Sequence, residues 1–244
     1  MSILLEAPVF NLQASLEAAQ LGIDRLELCS NFPEGGETPS AGMLRFLKRE
    51  IDLPIFVMIR PRGGNFVYSS KELLVMKQDI QLLGDLGADG FVFGALDAQG
   101  SVNEAACESL LRAAESRPCT FHRAFDASAD LSDSLEKIIQ LGFQRVLTSG
   151  GKNTFTEGLD QVMALLKQAQ ERIIILPGGG LKAAHISRLK ESGYLKEVHA
   201  SCKLAKPADN QFIKPGLSFS GTPLDFNLNF GIDPQLVHEF KSVF

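Results

Sequence analysis

The sequence lacks the features that mark several large classes of protein. It has no run of lysine and arginine and a net charge of −5, which argues against nucleic acids and anionic membranes as partners. No apolar run approaches the ~20 residues that a membrane-spanning helix requires. The N-terminus has no basic region and soon reaches a carboxylate at Glu6, which predicts a strand and no signal peptide. We therefore expect no nucleic acid and no membrane as a partner.

Cysteine is scarce, and several catalytic motifs are missing. The four cysteines, at positions 29, 107, 119 and 202, form no C-x-x-C pair, which indicates reduced thiols and a cytoplasmic location. There is no H-E-x-x-H string and no P-loop, and no G-x-G-x-x-G follows the first predicted strand. Lys152, Lys182 and Lys203 follow predicted strands instead of lying within them, which argues against a Schiff-base aldolase.

What the chain does have is a repeated order of helix, glycine and strand. Gly22, Gly87, Gly142 and Gly193 each close a helical pattern just before a β-run, because glycine adopts the left-handed conformation at low cost. These turns lie about two β-α units apart, and a further apolar run falls between each pair. Eight strands are predicted, at residues 3–8, 25–29, 54–60, 91–94, 119–123, 145–148, 173–176 and 197–201.

This alternation within 244 residues predicts an α/β fold, a (β/α)₈ TIM-type barrel of eight parallel strands in a single domain over residues 1–244. An open doubly wound sheet is the competing architecture. Residues 203–232 show little helical period and several prolines and glycines, so we interpret them as a long irregular segment and a candidate lid over the barrel mouth. Asp233 and Pro234 then start a C-terminal helix.

Polar side chains lie near the ends of the predicted strands, where barrels of this class carry their chemistry. Glu6 and Glu27 are embedded in apolar strands, and both are predicted to point inward because a carboxylate beneath the outer helices would lack a partner. Strand alternation adds Arg60, His122 and His199 to the same interior layer. The cluster is either a structural plug neutralised by Arg60 or an acid–base site. We favour the acid–base site, because a buried ion network gains little stability after desolvation.

Glycine-rich loops after three strands predict an anion site at the same mouth. Their sequences contain Arg60 and Arg62 before a glycine pair, then Gly150 and Gly151, then Gly178, Gly179 and Gly180. Backbone N–H groups in such loops can approach a phosphate or carboxylate closely, although each loop alone is also consistent with a tight turn. Arg123 joins these anion-binding candidates, and Asp126 can orient His122 or Arg123. The predicted catalytic residues are Glu6, Glu27, His122 and Asp126.

Four longer strings resemble the CutC family of copper homeostasis proteins. They lie at residues 34–40, 59–69, 121–126 and 145–151, and the similarity runs in order from about residue 3 to 202. The resemblance implies a cytosolic (β/α)₈ barrel that forms a homo-oligomer and is linked to the handling of copper(I). The residues themselves leave a second function open, that of a barrel enzyme acting by acid–base chemistry on a small anionic metabolite.

Copper(I) prefers thiolates, assisted by imidazole, so the candidate metal ligands are Cys29, Cys202 and His199. Cys29 and Cys202 follow strands separated by the first strand, so their backbones are expected to lie roughly 10 Å apart. Pro8 stands between them, where CutC relatives often carry a cysteine. Cys29 is alternatively a buried structural thiol. A magnesium or manganese ion bound by Glu6, Glu27 and Asp126 is the alternative to copper.

Overall fold

The computed structural model describes residues 3–209, 212 and 228–244. Eight parallel strands form one sheet in the order β7-β6-β5-β4-β3-β2-β1-β8. These strands are β1 (Leu4–Val9), β2 (Arg25–Leu28), β3 (Ile55–Met58), β4 (Gly90–Phe93), β5 (Cys119–Phe121), β6 (Arg145–Thr148), β7 (Ile174–Pro177) and β8 (Glu197–His199). β8 pairs with β1. The chain just after β7 also lies close to β8, since a Cβ atom placed on Gly178 would stand 3.2 Å from the Cβ atom of His199. The predicted barrel is confirmed, and it is nearly closed.

Helices alternate with the strands and form the outer layer. They are α1 (Leu12–Gln20), α2 (Ala41–Glu50), α3 (Ser70–Asp85), α4 (Glu104–Ala114), α5 (Leu131–Leu141), α6 (Phe155–Ala169), α7 (Ile186–Lys190) and α8 (Pro234–Ser242). Short 3₁₀ turns occupy Phe32–Glu34, Phe125–Ala127 and Ala183–His185. Local sequence sets several boundaries: Ser69 and Glu72 form a capping box at α3, and Asp233 caps α8 before Pro234. No described helix has both the length and the apolar character needed to cross a bilayer.

Buried apolar residues form two layers, because side chains alternate between the two faces of each strand. The large outer layer packs the strands against the helices and includes Cys107, Cys119 and Cys202. A small inner layer contains Cys29, Phe56, Met58 and Val92, with Phe10 packed against it. The inner layer has few apolar members, so much of the barrel interior is left to the polar side chains of the site.

The segment after β8 departs from the sequence interpretation at both of its ends. Strands β9 (Lys203–Pro207) and β10 (Leu228–Ile232) pair antiparallel with each other, so these ends are regular and not irregular. The pair is held on α1, since the Glu17 carboxylate accepts hydrogen bonds from the Lys206 ammonium group and the Ile232 N–H. Contacts distant in sequence thus stabilise strands that have weak local signals. Residues 210, 211 and 213–227 are outside the described part of the chain, and with them the central part of the predicted lid.

Candidate active site

A cavity of about 950 Å³ opens at the carboxyl ends of the barrel strands. Loops after several strands line it, and α8 contributes Leu236, Glu239 and Phe240 to its wall. Its polar lining includes Glu27, Arg60, His122, Arg123, Lys152, Lys182 and His199. Most of these residues come from the sequence candidates, because the ends of parallel strands converge at one rim of a barrel.

Glu6 lies at the centre of a buried ion network below the cavity. The Glu6 side chain is fully buried on β1, where one oxygen accepts from Arg25 Nε at 2.5 Å and the other contacts His199 Nδ1 at 2.8 Å. Burial opposes the charge of Glu6, but Arg25 and His199 outweigh it and lower the pKa of the carboxyl group to about 2. Glu6, one of the predicted catalytic residues, does not line the cavity and contacts Arg25 and His199 beneath it.

Arg25 neutralises this network, whereas the structural-plug alternative assigned that role to Arg60. The Arg25 guanidinium bridges Glu6 and Glu197, and Arg145 Nε contacts the same Glu197 oxygen at 2.8 Å. The pairing follows from strand register, since Arg25 on β2 lies opposite Glu6 on β1. The sequence analysis did not include Arg25 among the interior residues, although strand alternation could have identified it. Arg25 stands two residues before Glu27 and therefore lies on the same face of the strand.

Glu27 and His199 connect the buried network to the cavity. Glu27 is only 3% exposed, and its Oε2 atom lies 3.6 Å from Cys29 Sγ and 3.9 Å from His199 Nε2. Burial, aided by the Glu6 charge, outweighs the attraction of His199 and raises the pKa of Glu27 to about 7. Burial opposes protonation of His199, but the Glu27 and Glu6 carboxylates outweigh it and raise the pKa of the imidazole. The Oε1 atom of Glu27 is buried without a hydrogen-bond partner among the described residues.

His122 lies just beyond β5, in the cavity wall. Its Nδ1 atom accepts the N–H of Ala124 at 3.2 Å, and the ring packs against Phe66 with centroids 4.9 Å apart. Burial, with a smaller effect of the Arg60 charge, lowers the pKa of His122 to about 3. The imidazole is therefore neutral near pH 7. Its Nε2 atom is buried and has no partner within the part of the chain that the structure describes.

Two of the predicted anion-binding arginines are engaged in holding loops. Arg60 donates to the carbonyl oxygens of Glu34, Gly36 and Gly64 at 2.6–3.0 Å, although it also lines the cavity. Arg62 pairs with Glu72 at 2.6 Å and is not among the cavity-lining residues. These bonds use both terminal nitrogens of Arg60, but its Nε atom is buried without a partner among the described residues. The bonds of Arg62 direct it to the start of α3.

The loop after β6 also uses its donors internally. Asp126 accepts from Arg123 Nε, Thr148 Oγ1 and the backbone N–H groups of Ser149 and Gly151, at 2.5–3.1 Å. The N–H of Gly150 donates to Thr148 Oγ1 at 2.8 Å. A carboxylate of the protein itself thus occupies the cradle predicted at Gly150 and Gly151. In this geometry Asp126 orients Arg123, as the sequence interpretation allowed, and its oxygens are satisfied.

The loop after β7 keeps its donors free. The N–H of Gly178 binds the Thr148 carbonyl, but no described group accepts from the N–H of Gly179, Gly180 or Leu181. Gly179 and Gly180 have φ values of +81° and +88°, which glycine adopts without strain. Lys152 and Lys182 line the cavity beside this loop, and neither forms an ion pair with a described residue. We call these three N–H groups and two ammonium groups the β7 anion pocket.

The predicted copper ligands are divided between layers. Cys29 belongs to the inner apolar layer and Cys202 to the outer one. Burial and the Glu27 charge raise the pKa of Cys29 well above its ordinary value, and burial raises that of Cys202 to about 12. Among the described residues, the group of potential ligands within 4.8 Å of one another is Glu6, Glu27 and His199. Two carboxylates and one imidazole form a harder set of donor atoms than the thiolates that copper(I) prefers.

Comparison with known proteins connects this geometry to a family. The model of the CutC family matches residues 3–204. The chain belongs to the CutC family. A human relative named copper homeostasis protein cutC homolog is 44% identical over 209 residues, covering 86% of this chain and 77% of its own length. A CutC family protein of Porphyromonas gingivalis strain W83 is 44% identical over 213 residues, covering 87% of this chain and 86% of its own.

Solved structures place the CutC barrel within a broader fold. The CutC of Streptococcus agalactiae superposes with a TM-score of 0.76 and 35% identity, covering 82% of this chain and 99% of that one. An aldolase named QR15 superposes with a TM-score of 0.59 at 15% identity, over 82% of this chain and 90% of that one. The second likeness shows the fold alone. The CutC relatives are named for copper homeostasis, and those names specify no reaction. The chemistry of this site is therefore inferred from its own residues.

Proposed function

We propose that this CutC-family protein is an enzyme that acts by acid–base chemistry on a small anionic metabolite. The observation that carries the proposal is a set of three unpartnered buried atoms, Glu27 Oε1, His122 Nε2 and Arg60 Nε, on residues that line one cavity. Buried polar atoms are rarely left without a partner, so three such atoms at one cavity indicate a ligand that supplies the missing contacts. A cavity of about 950 Å³ is ample for a metabolite.

The charge of the substrate is inferred from the β7 anion pocket. Three free N–H groups and the unpaired Lys152 and Lys182 provide donors and positive charge without a protein anion among the described residues. The neighbouring β6 loop supports the inference, since its N–H groups bind a carboxylate, that of Asp126, in the same surroundings. A phosphate or carboxylate group of the substrate is the corresponding ligand.

Binding of inorganic phosphate and of a panel of phosphate monoesters and carboxylates, measured by thermal shift and calorimetry, tests this function. We expect the double variant Lys152→Met/Lys182→Met to weaken binding about tenfold or more, a loss of about 1.4 kcal/mol. The matched control is Lys71→Met/Lys167→Met, which removes two exposed lysines outside the cavity and should bind as the parent does. No ligand in the panel, or equal losses in both double variants, would contradict the proposal.

Copper(I) binding is the second candidate function, and one packing detail favours it. A Cβ atom added to Gly36 would stand 3.2 Å from the Cys29 thiol and 3.4 Å from the Met58 methyl group, so two sulfur-bearing side chains of the inner apolar layer pack against Gly36. Thiolate and thioether sulfur are copper(I) ligands. Against this stands the raised pKa of Cys29, since the thiolate is the binding form.

A copper(I) titration against a competing chelator separates the two functions. We expect the parent protein and Cys29→Ser to compete equally poorly, because a buried thiol beside the Glu27 carboxylate resists ionisation. Cys107→Ser is the control, a buried cysteine on α4 that does not line the cavity. Tight stoichiometric binding that disappears in Cys29→Ser alone would favour the copper function over the enzyme.

Two further expectations from the resemblance remain proposals. A cytoplasmic location is supported by four free, buried cysteines, which suit a reducing compartment. A homo-oligomer is expected from the CutC resemblance. A magnesium or manganese site remains an alternative, although Asp126 lies outside the group of potential ligands formed by Glu6, Glu27 and His199.

A further inference from the structure

His122 holds a fixed tautomer in the cavity wall. Because its Nδ1 atom accepts the Ala124 N–H, the proton of the neutral ring lies on Nε2. The Nε2–H group is therefore a hydrogen-bond donor on a side chain that is 3% exposed, and no described acceptor satisfies it. Phe66 packs on the ring and restricts its rotation. The chain thus presents a preorganised neutral donor to whatever occupies the cavity.

Glu27 supplies the complementary group. Its Oε1 atom is an acceptor without a partner, and the rest of its carboxylate is fixed by contacts with Cys29 and His199. One cavity thus holds a free base and a free neutral donor, while the nearby His199 is occupied by Glu6. A reaction that uses both must take a proton at one atom and stabilise negative charge at another.

We propose that Glu27 removes a proton from the carbon next to a carbonyl group of a phosphorylated substrate while His122 donates a hydrogen bond to the carbonyl oxygen. This inference rests on the enzymatic function proposed above and narrows it to a reaction class. The C–H bond of a hydroxyl-bearing carbon breaks, its proton goes to Glu27 Oε1, and its electron pair forms a C=C bond as the carbonyl π pair moves onto the carbonyl oxygen, which gives an enediolate. Glu27 then returns the proton to the same carbon, which restores the substrate, or to the former carbonyl carbon, in which case the hydroxyl proton passes to the former carbonyl oxygen. Neither outcome requires an oxidant, reductant or co-reactant.

The protonation state of His122 suits this division of roles. A pKa of about 3 keeps His122 neutral, so it acts as a hydrogen-bond donor and does not compete as an imidazolium acid. A neutral imidazole matched to an enediolate oxygen is an established solution for proton transfer next to a carbonyl group.

One residue, His199, lies between the loop of the β7 anion pocket and Glu27, the proposed base. Gly178, which starts the loop, packs against His199, and His199 Nε2 stands 3.9 Å from Glu27 Oε2. A phosphate held by Gly179, Gly180 and the two lysines would therefore fix one end of a short substrate. Its carbonyl end would extend towards Glu27 and His122. Phosphate is favoured over carboxylate because five donors suit three terminal oxygens better than two.

Exchange of substrate hydrogen with deuterated water tests the proposal. Phosphorylated hydroxyketones and hydroxyaldehydes of three to six carbons are incubated with the protein in D₂O, and loss of the α-hydrogen signal is followed by NMR. We expect exchange with at least one compound that binds. Glu27→Gln should reduce the rate at least 100-fold with binding retained, and His122→Phe should reduce it about 100-fold. His238→Gln, an exposed histidine on α8, is the control and should exchange at the parental rate.

The outcomes distinguish this inference from the function on which it rests. If phosphorylated compounds bind with dependence on Lys152 and Lys182 but none exchanges hydrogen, the reaction class is wrong and the anion-binding enzyme survives. If no phosphorylated compound binds, this inference fails, and the proposed function fails with it only if no carboxylate of the panel binds either. Exchange that persists in Glu27→Gln overturns the assignment of the base, provided that the variant is folded by circular dichroism. Equal rates in His122→Phe and the parent overturn the role of the neutral imidazole.

Discussion

Arg25→Met is expected to destabilise the protein by about 3–5 kcal/mol, enough to unfold a domain of ordinary stability. Arg25 is 2% exposed and contacts both Glu6 and Glu197 at 2.5 Å. Its removal leaves Glu6 buried with His199 as its remaining charged partner, and a buried charge that loses its counterion retains its desolvation penalty. Urea denaturation followed by circular dichroism gives the free energy of unfolding.

The double variant Arg25→Met/Glu6→Gln identifies the cause. It removes the unpaired charge and leaves the bond between Glu197 and Arg145 intact, so it should recover a large part of the lost stability. Arg172→Met is the control for loss of an arginine, because its pair with Glu136 is exposed and should contribute below about 1 kcal/mol. If the double variant is as unstable as Arg25→Met, packing and not charge explains the loss.

Glu27→Gln is expected to stabilise the protein at pH 8 by roughly 2 kcal/mol, even though it removes the proposed base. The pKa of Glu27 is raised from 4.5 to about 7, since burial and Glu6 outweigh His199, Arg25 and the hydrogen bond from Cys29. A carboxyl group with a raised pKa favours folding at low pH, and this contribution is lost as the pH rises from about 4.5 to about 7. The amide carries no charge and avoids that loss.

Unfolding curves at pH 5 and pH 8 measure the difference. The stabilisation should be larger at pH 8, because Glu27 of the parent is then ionised in the folded state. Glu72→Gln serves as the control of opposite sign: hydrogen bonds from Ser69 and Arg62 lower the pKa of Glu72 to about 2, so its loss should destabilise above about pH 4.5. A Glu27→Gln variant that is equally destabilised at both pH values would show that Glu27 is a structural residue.

A stabilising substitution at the proposed base would itself be informative about function. Residues kept at the expense of stability are characteristic of functional sites, where a buried charge serves chemistry. Arg25 has the opposite character, because the network around Glu6 requires it. Arg25→Met and Glu27→Gln together therefore distinguish the buried polar residues that stabilise the barrel from those that face a ligand.

Much of the site could be predicted from strand alternation. Glu6 and Glu27 were placed in the interior because each interrupts an apolar strand, and His199 was placed there by strand alternation. The structure brings one potential ligand atom of each within 4.8 Å of the others. His122 was placed at the mouth for the same reason and lies in the cavity wall. The partners of these residues were less predictable. Arg60 was predicted to bind an anion, or in the structural-plug alternative to neutralise the glutamates, but its guanidinium donates to three backbone carbonyls.

In the loops, too, the residue types were predictable from the sequence but their bonding partners were not. Glycine-rich sequences after β6 and β7 look equivalent as sequence, yet Asp126 occupies the first and no described acceptor occupies the second. Asp126 reaches the β6 loop from the loop after β5, which is a contact between neighbouring units of the barrel. A similar long-range contact, between Glu17 on α1 and the β9–β10 pair, regularised ends that the sequence predicted to be irregular.

The amino-acid sequence by itself determined the barrel, the order of its elements and the inward face of each strand, because periods of two and 3.6 residues are local properties of the chain. Only the tertiary structure decided which charges meet, which N–H groups are already bonded and which buried atoms lack a partner. Those outcomes depend on strand register and on distances of a few ångströms between units far apart in sequence, as in Glu6 opposite Arg25, and no local pattern encodes them.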